Sequence, residues 1–456
     1  MIPRFYTPYR QVVIAALISL CINASWNAVL GVGGGGLMDS SISARANVAG
    51  AIASCVAGLV VSGVNNYLGV RLAMFIASVT YTLFMASFVL FAYWPQPAPV
   101  VITGALKGFG LLMSGMIQSV MLVSYPQEAQ RGSYLSTFFL VASLNGVVGG
   151  AVALGLNYSN SSRGLGLATY YVATAVTIVA VLLSLLLVSP RYLTKDDGSP
   201  IVVPKFQGWR REIRLLFRAA RDGPLVLFIP YFAITRFYYA YQFNGFNFTL
   251  FTIRTRAINC IVYYLSSLTS SYVLGWLLDR PHWSRRFRGL TLLAAILVMV
   301  LASYVGALAI QVHGQRTGRL VDFTQVAYLG PLAVFMQWGA LDAVINAFSL
   351  WALTLVFPHV ESLDHHLGFL FLVQSIGTAV SWQLDAAQVS LLAQNLVVIG
   401  MTVFGSLVMA GLVIQYTRPA EAIQPFGNDD SGSDFSGDFG INKPYTPNQV
   451  DSAVNS

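Results

Sequence analysis

The sequence predicts an all-α integral membrane protein with about twelve transmembrane helices in two halves of six. Hydrophobic residues make up 56% of the chain and charged residues only 10%, whereas soluble domains carry roughly 25% charged residues. Apolar runs long enough to cross a bilayer recur along the chain. These runs are rich in Leu, Val, Ala and Gly and do not alternate as strands do, so helices are predicted and not a membrane barrel.

The apolar segments divide about one charged stretch, residues 189–223, which we expect to be a cytosolic linker. The six spans of the first half are predicted at 11–30, 47–69, 72–93, 100–123, 134–156 and 168–188. Those of the second half are predicted at 224–243, 257–278, 290–312, 328–357, 367–384 and 391–416. We therefore expect one six-helix bundle over 1–188 and another over 224–416.

The distribution of Lys and Arg predicts the topology. The net charge is +8, and most basic residues fall in alternate loops, which places both termini in the cytosol. The charge thus reflects contact with the lipid bilayer of the plasma membrane or an endomembrane, and no nucleic-acid partner is expected. Sequons at Asn157, Asn160 and Asn247 fall in segments predicted to lie outside and are candidate glycosylation sites.

Two segments outside the predicted spans differ from the spans in composition and residue pattern. Within the linker, residues 205–222 place apolar side chains at helical spacing and Arg residues mostly on the other faces. This pattern predicts a basic amphipathic helix that either lies on an anionic leaflet or packs on the protein. Residues 417–456 are rich in Asp, Ser, Gly, Asn and Pro, so we expect a disordered acidic cytosolic tail.

A short motif follows the second span of the second half. The sequence GWLLDRPHWSRR resembles the loop signature of the major facilitator superfamily, and SGVNNYLGVRLA at the equivalent place in the first half is a degenerate copy without the acidic residue. In this signature glycine permits close helix contact, Asp can cap a helix and Arg faces the cytosol. The signature positions are Gly275, Asp279 and Arg280 in the second half and Gly69 and Arg71 in the first.

A narrower resemblance extends over nearly all of the membrane region. The block FYYAYQFNGFNFTLFTIRTRAINCIVYYLSS is similar to the uncoordinated-ninety-three-like (Unc) family of that superfamily, in particular to its fungal-type members. The blocks SWNAVLGVGGGG, SYPQEAQRGSYLS, QWGALDAVINAFSLW and LGFLFLVQSIGTAVSWQLD match the same family. The resemblance implies a major facilitator fold in which the first, fourth, seventh and tenth spans line a central cavity.

Three charged residues fall well within the predicted spans, namely Lys107, Arg236 and Asp342. A charge at a helix centre costs roughly 2.5–3.5 kcal/mol, so each should face protein or water. They lie on the fourth, seventh and tenth spans, which the resemblance places around the cavity. Arg236 and Asp342 either contact a solute or neutralise each other. Lys107 lies nearer the outer end and either faces the cavity or extends to the surface.

Uncharged polar groups add candidates for the cavity. Trp26 and Asn27 end the first span and Gln242 ends the seventh, where they could bind a solute by stacking and hydrogen bonds. The alternative is an aromatic belt with interhelical hydrogen bonds. No catalytic constellation or cofactor motif is visible, and His359, His365 and His366 lack firm ligand spacing. We therefore expect no enzyme activity, no cofactor and no metal site.

Two functions follow from these expectations. The first is a transporter that moves a small solute by alternating access, with the positive balance of the cavity favouring an anionic or neutral solute. The second is a non-transporting accessory protein, acting in trafficking or regulation through a membrane-protein partner. The scarcity of intramembrane carboxylates and the degenerate first-half signature are compatible with the second function.

Overall fold

The computed structural model describes residues 7–36, 39–127, 130–160, 164–195, 198–201, 208, 210, 214, 218, 221, 223–278, 283–357 and 360–417. The predicted linker helix at 205–222 falls almost wholly outside these residues, as does the predicted tail after Thr417. Within the described part of the chain, ten helices are long and apolar enough to cross a membrane. β-pairing there is limited to two isolated bridges. The all-α membrane fold is thus confirmed.

Twelve elements correspond to the predicted spans within the described residues. The first half contains α1 (Pro8–Val29), α2 (Ser40–Val61), α3 (Tyr67–Tyr93), α4 (Pro97–Ser124), α5 (Gly132–Asn157) and α6 (Leu167–Ser184). The second half begins with the segmented α7, which joins Gly223–Val226, Ile229–Ile234, the π-helix Ala240–Asn247 and Phe248–Leu250. It continues with α8 (Ile253–Leu278), α9 (Arg285–Thr317), α10 (Leu329–Val356), α11 (Val360–Ala386) and α12 (Leu391–Tyr416).

The boundaries depart from the prediction where polar groups, not apolar runs, set the helix end. α2 begins at Ser40 because the Asp39 side chain accepts a hydrogen bond from the Ser41 backbone N–H at 2.8 Å and caps the helix. α2 leads into α3 without a long loop, and the chain changes direction at Gly69, where φ is 75° and ψ is 165°. This conformation is open to glycine and strained for other residues, and it coincides with the predicted end of the second span.

Each half has its own apolar core. In the second half the core includes Trp338 of α10, whose ring packs at 5.3 Å from Tyr304 of α9 and at 5.9 Å from Tyr241 of α7. In the first half the core includes Met74 of α3 and Met113 of α4. A third cluster joins Val29 of the first half to residues of α8 at the end of the bundle where α1 finishes. We call this end the far face.

Small residues set the distance between α2 and α4. A Cβ atom added at Gly108 would lie 1.9 Å from the carbonyl oxygen of Gly50, and one added at Gly104 would lie 2.6 Å from that of Ala46. The Ser54 hydroxyl also donates a hydrogen bond to the Gly108 carbonyl oxygen at 2.9 Å. Because lipid supplies no hydrophobic force between helices, such close backbone packing is a main source of their association.

The variant Gly108→Ala tests this contact. The new methyl group must push α2 and α4 apart, at a cost of about 1–3 kcal/mol, so we expect a lower melting temperature of the purified protein. Gly115→Ala is the matched control, since it lies on the same helix and no heavy atom comes within 4 Å of its added Cβ. Both changes gain the same helix propensity. Equal melting temperatures for the two variants would contradict the close contact.

Candidate functional site

The break in α7 places Arg236 at the interface between the halves. Residues 235–237 form a turn between Ile229–Ile234 and the later part of the element, and the Arg236 side chain is exposed although most neighbouring residues along the chain are buried. It lies within electrostatic range of Tyr239, Tyr264 and Asp342 of the second half. Tyr81 of α3, in the first half, is also within this range. Helices broken in this way are where membrane transporters place binding groups.

Asp342 of α10 is held by donors other than Arg236. Its Oδ1 accepts hydrogen bonds from the hydroxyls of Tyr238, at 2.6 Å, and Tyr239, at 2.9 Å. The Asn346 amide donates a third at 3.0 Å. Among the described residues, the ion pair with an N–O distance within 4.0 Å is Arg254–Asp322. The neutralising Arg236–Asp342 pair that the sequence allowed is therefore not formed in this conformation, although the two charges remain electrostatic neighbours.

Lys107 lies inside the first half and does not extend to the surface. Its side chain is 6% exposed, and its Nζ lies 3.6 Å from the centroid of the Trp26 ring and 4.8 Å from that of Phe84. The ammonium group also donates a hydrogen bond to Asn47 Oδ1 at 3.4 Å. A Cβ added at Gly50 would lie 3.6 Å from Lys107 Cε. The interpretation of a surface lysine is wrong because the close packing of α2 on α4 directs the side chain inward.

The uncharged candidates separate into two groups. Trp26 is half-buried against Lys107, and the Asn27 amide donates to Asn145 Oδ1 of α5 at 2.6 Å and lies beside Tyr264 of α8. These two residues of α1 therefore lie near the interface of the halves. Gln242 does not, because it is fully buried within the second half and donates to the Tyr304 hydroxyl at 2.9 Å. The prediction that Gln242 lines the cavity is wrong, since the π-helix turns its side chain toward α9.

The far face is closed by the glycine run that follows α1. The backbone N–H of Gly34 donates to Asn244 Oδ1 of α7 at 2.7 Å. The Asn244 amide in turn donates to Asp385 Oδ2 of α11 and to the Ser40 carbonyl oxygen at 3.3 Å. The Asn247 amide donates to the Gly31 carbonyl oxygen at 3.4 Å. We call this set of hydrogen bonds the far-face contact; it joins the first half to the second.

Glycine is required in this run for two reasons. Gly33 has φ 83° and Gly34 has φ 63°, which are left-handed values that other residues rarely adopt. A Cβ at Gly33 would also lie 2.3 Å from the Phe243 carbonyl oxygen, and one at Gly34 would lie 2.6 Å from the Phe248 ring. The run thus packs directly on the π-helix.

Sequence reasoning missed Asp385, which is 5% exposed. The predicted eleventh span ends one residue earlier, so this carboxylate was counted as part of a loop. The available signal was its place in the family-like block that ends SWQLD. Its partner Asn244 lies 141 residues away along the chain, a pairing that spacing does not reveal.

A second link at the far face contains the Arg254–Asp322 ion pair, with N–O distances of 2.7 and 3.0 Å. The Arg254 guanidinium also lies 5.7 Å from the ring centroid of Tyr158, in the first half. Partial burial of Asp322 acts to raise the pKa of its carboxyl. Hydrogen bonds from Arg254, Thr252 and Thr324 outweigh this effect and hold that pKa well below its usual range.

Two of the candidate glycosylation sites are wrong. Asn157 is 1% exposed and its amide donates to Thr169 Oγ1 at 2.7 Å, while Asn247 is fully buried in the π-helix. A glycan on either amide would have to replace interior packing. Asn160 is partly exposed, and its amide donates to the Gly164 carbonyl oxygen at 3.0 Å. Its use as a glycosylation site stays a prediction.

The loop signature is described only in part. Gly275 lies in the last turn of α8, and Asp279 and Arg280 fall outside the described residues. Gly69 forms a kink near the start of α3, and the side chain of Arg71, two residues later, is exposed. Within the part of the chain that the structure covers, no group of three or more His, Cys, Asp or Glu residues could hold a metal ion.

The ion pair gives a pH-dependent prediction for Asp322→Asn. A carboxyl whose pKa is lowered by folding stabilises the protein above the unfolded pKa of about 4, and this stabilisation is lost as the pH falls below that value. We expect a melting temperature below that of the wild type at pH 7, with a difference that shrinks on acidification from about pH 4 toward pH 2. The loss should be about 1 kcal/mol or less, since Arg254 is partly exposed.

The control for this prediction uses two further variants: Arg254→Gln alone, and Arg254→Gln combined with Asp322→Asn. If the two residues act through each other, the double variant should lose less stability than the sum of the single variants. A melting-temperature difference that does not change with pH would contradict a role for the ionised carboxylate.

Comparison with known proteins agrees with this architecture. No family model matches the chain. UNC93-like protein 1 of Arabidopsis thaliana is 31% identical over 440 residues, which cover 94% of both chains. An UNC93-like protein of Schizosaccharomyces pombe is 27% identical over 388 residues, which cover 83% of this chain and 77% of the relative.

A solved structure shares the fold at low sequence identity. The D-xylose-proton symporter superimposes with a TM-score of 0.61 at 13% identity, over 87% of this chain and 96% of that chain. Together with the helix order, this likeness shows that the chain has the major facilitator fold. Because UNC93-like protein 1 is 31% identical to this chain over 94% of both, the chain is a member of the UNC93-like family.

Proposed function

We propose that this protein moves a small solute across the membrane by alternating access between its two halves. The observation that carries the proposal is the broken α7, which presents Arg236 beside Asp342 and the tyrosines of both halves. Polar groups in a membrane interior are costly and mark solute or ion pathways. The fold is the one used by the D-xylose-proton symporter, which supports transport as the general class of activity.

The hydrogen bonds between the halves support one conformation of such a cycle. In the described residues, the contacts Gly34–Asn244, Asn244–Ser40 and Asn247–Gly31 all lie at the far face. Neutral hydrogen bonds contribute only about 0.5–1.5 kcal/mol each. A contact of this strength is able to open and close on the timescale of transport, so we assign the far-face contact as a gate.

Asp342 has a defined part in this proposal. Its Oδ1 is bonded to Tyr238 and Tyr239 of α7 and to Asn346 of its own helix. The carboxylate therefore fixes the position of α7 relative to α10 next to the break that holds Arg236. A solute that contacts Arg236 or Tyr239 alters this network and can favour one arrangement of the halves over the other.

The membrane topology predicts which side of the membrane the gate closes. With both termini in the cytosol, as the Lys and Arg distribution predicts, the far face is the outer face of the membrane. The conformation described above is then closed to the outside. We place the protein in the plasma membrane or an endomembrane on the same basis, and assign it no enzyme activity.

Uptake into proteoliposomes tests the proposal. The purified protein should give saturable counterflow of at least one member of a broad solute library, and Asp342→Asn should lower that flux at least ten-fold, as loss of a charge-assisted hydrogen bond implies. Tyr239→Phe should lower it less, because two donors to Asp342 remain. Tyr67→Phe is the matched control, since Tyr67 is 91% exposed.

The same assay decides against the alternative function. If folded protein gives no saturable flux for any solute, transport is contradicted. The accessory function would then be favoured, and a co-purifying membrane-protein partner would be its positive evidence.

The gate makes a separate prediction through Cys260. This thiol is fully buried beneath the glycine run, where a Cβ on Gly31 would lie 2.8 Å from its Sγ. In a background with Cys21→Ser and Cys55→Ser it is the only thiol of the chain. We expect Asn244→Ala to raise the rate of Cys260 modification by a water-soluble maleimide, because the variant removes three hydrogen bonds of the far-face contact.

Asn65→Ala is the control for general loosening, since the Asn65 amide donates to the Met113 carbonyl oxygen within the first half at 3.1 Å. It should leave the rate of Cys260 modification unchanged. An equal increase in both variants would show that Asn244 acts on stability and not on a gate.

A further inference from the structure

We infer that the solute is a small organic anion, bound through its carboxylate or phosphate group by Arg236 at the break of α7. This inference rests on the proposed transport function and specifies its substrate class. It depends on three observations, namely the hydrogen-bonding state of Arg236, that of Asp342, and the position of Lys107 in the opposite half.

The N–H donors of Arg236 have no hydrogen-bond acceptor among the described residues. Its guanidinium carries five N–H donors, and in the part of the chain that the structure covers none of them is hydrogen-bonded to a protein acceptor. The side chain is exposed at the interface of the halves. A guanidinium binds carboxylate and phosphate groups with two parallel hydrogen bonds, which fixes an anion in both position and orientation.

The nearby carboxylate does not occupy this guanidinium. Asp342 Oδ1 already accepts from Tyr238, Tyr239 and Asn346, and these donors hold the group on the α10 side of α7. A solute anion supplies the hydrogen-bond acceptor that no described protein group provides for Arg236.

Lys107 adds a second positive charge from the first half. Two series of neighbours connect it to the surroundings of Arg236. Along α3, Phe84 contacts Lys107, and Tyr81, one helical turn away, is an electrostatic neighbour of Arg236. Along α1, Trp26 contacts Lys107 and the adjacent Asn27 lies beside Tyr264, an electrostatic neighbour of Arg236.

Among the described residues, no carboxylate pairs with the Lys107 ammonium. Asn47 accepts from the ammonium through Oδ1, but Asn47 Nδ2 is buried and has no hydrogen-bond partner among the described residues. The first half thus offers buried donors, and the second half offers the exposed Arg236. An anion between them is attracted by both the Lys107 ammonium and the Arg236 guanidinium.

Aromatic side chains of the protein near Arg236 and Lys107 indicate the chemistry of the rest of the solute. Tyr81, Tyr239 and Tyr264 are electrostatic neighbours of Arg236, and Trp26 is half-buried beside Lys107. Aromatic side chains in this region suit an apolar or aromatic body attached to the anionic group. We therefore expect an aromatic carboxylate or phosphate ester to bind more tightly than inorganic phosphate.

Binding measurements on the purified full-length protein test the inference. The probes are benzoate, phenyl phosphate and inorganic phosphate, with the neutral isostere benzamide, all at one ionic strength. Isothermal titration should detect at least one of the two aromatic anions and no benzamide. Arg236→Gln should weaken anion binding about ten-fold or more, as for loss of a charge-assisted pair, and Lys107→Gln should weaken it less.

Two variants keep the result interpretable. Arg236→Lys retains the charge but not the fork of donors, so it should bind the anion with intermediate affinity. Arg316→Gln removes an exposed arginine at the end of α9 and should leave affinity unchanged. The melting temperature of each variant without ligand shows whether it folds. If Arg236→Gln does not fold, the comparison of wild type with Arg236→Lys decides.

The results that would contradict the transport proposal differ from those that would contradict the anion inference. Saturable flux of neutral solutes, with no anion bound in an Arg236-dependent manner, would overturn the anion inference and leave transport intact. Equal binding of benzoate and benzamide, or equal affinity in Arg236→Gln and Arg316→Gln, would overturn it as well. Arg236-dependent anion binding without saturable flux would contradict transport and retain the site. Preference for phenyl phosphate over benzoate would identify phosphate as the bound group.

Discussion

Helix α7 loses regular α-helical hydrogen bonding at residues 235–237 and again in the π-helix, and the rest of the structure depends on how that loss is compensated. No water is available in the bilayer core, so irregular backbone is tolerated only where protein or a cavity satisfies it. Here the Ser381 hydroxyl of α11 donates to the Phe237 carbonyl oxygen at the break, and the side-chain amides of Asn244 and Asn247 bond to backbone groups of the first half. The irregular segment therefore ties the two halves together at one end and presents Arg236 near the break.

Close packing of small residues explains how a lysine is accommodated in the interior. Gly50 and Gly108 let α2 and α4 approach to backbone contact, and the Lys107 stem passes over Gly50 to reach the ring of Trp26. A cation over a desolvated aromatic ring gains about 2 kcal/mol or more, which offsets part of its burial cost. The charge is thereby held beside the interface of the halves and not at the membrane surface.

The contacts between and within the halves differ in kind. Within the second half, stacked aromatic rings around Trp338 form a continuous apolar core. Between the halves, the far-face contact consists mainly of neutral hydrogen bonds from Asn244 and Asn247. Hydrogen bonds of this kind can break and re-form when one half moves against the other, and membership of the UNC93-like family leaves the solute open.

The sequence by itself determined the membrane class, the approximate helix boundaries and the family, because hydrophobic length and local motifs are read directly along the chain. It also identified Arg236 and Asp342 as costly charges. Only the tertiary structure decided their partners: Asp342 bonds to tyrosines, Gln242 is buried, and Asp385 meets Asn244 at the far face. The physical reason is that hydrophobicity is a local property, whereas the partner of a polar group is set by packing between segments distant in sequence.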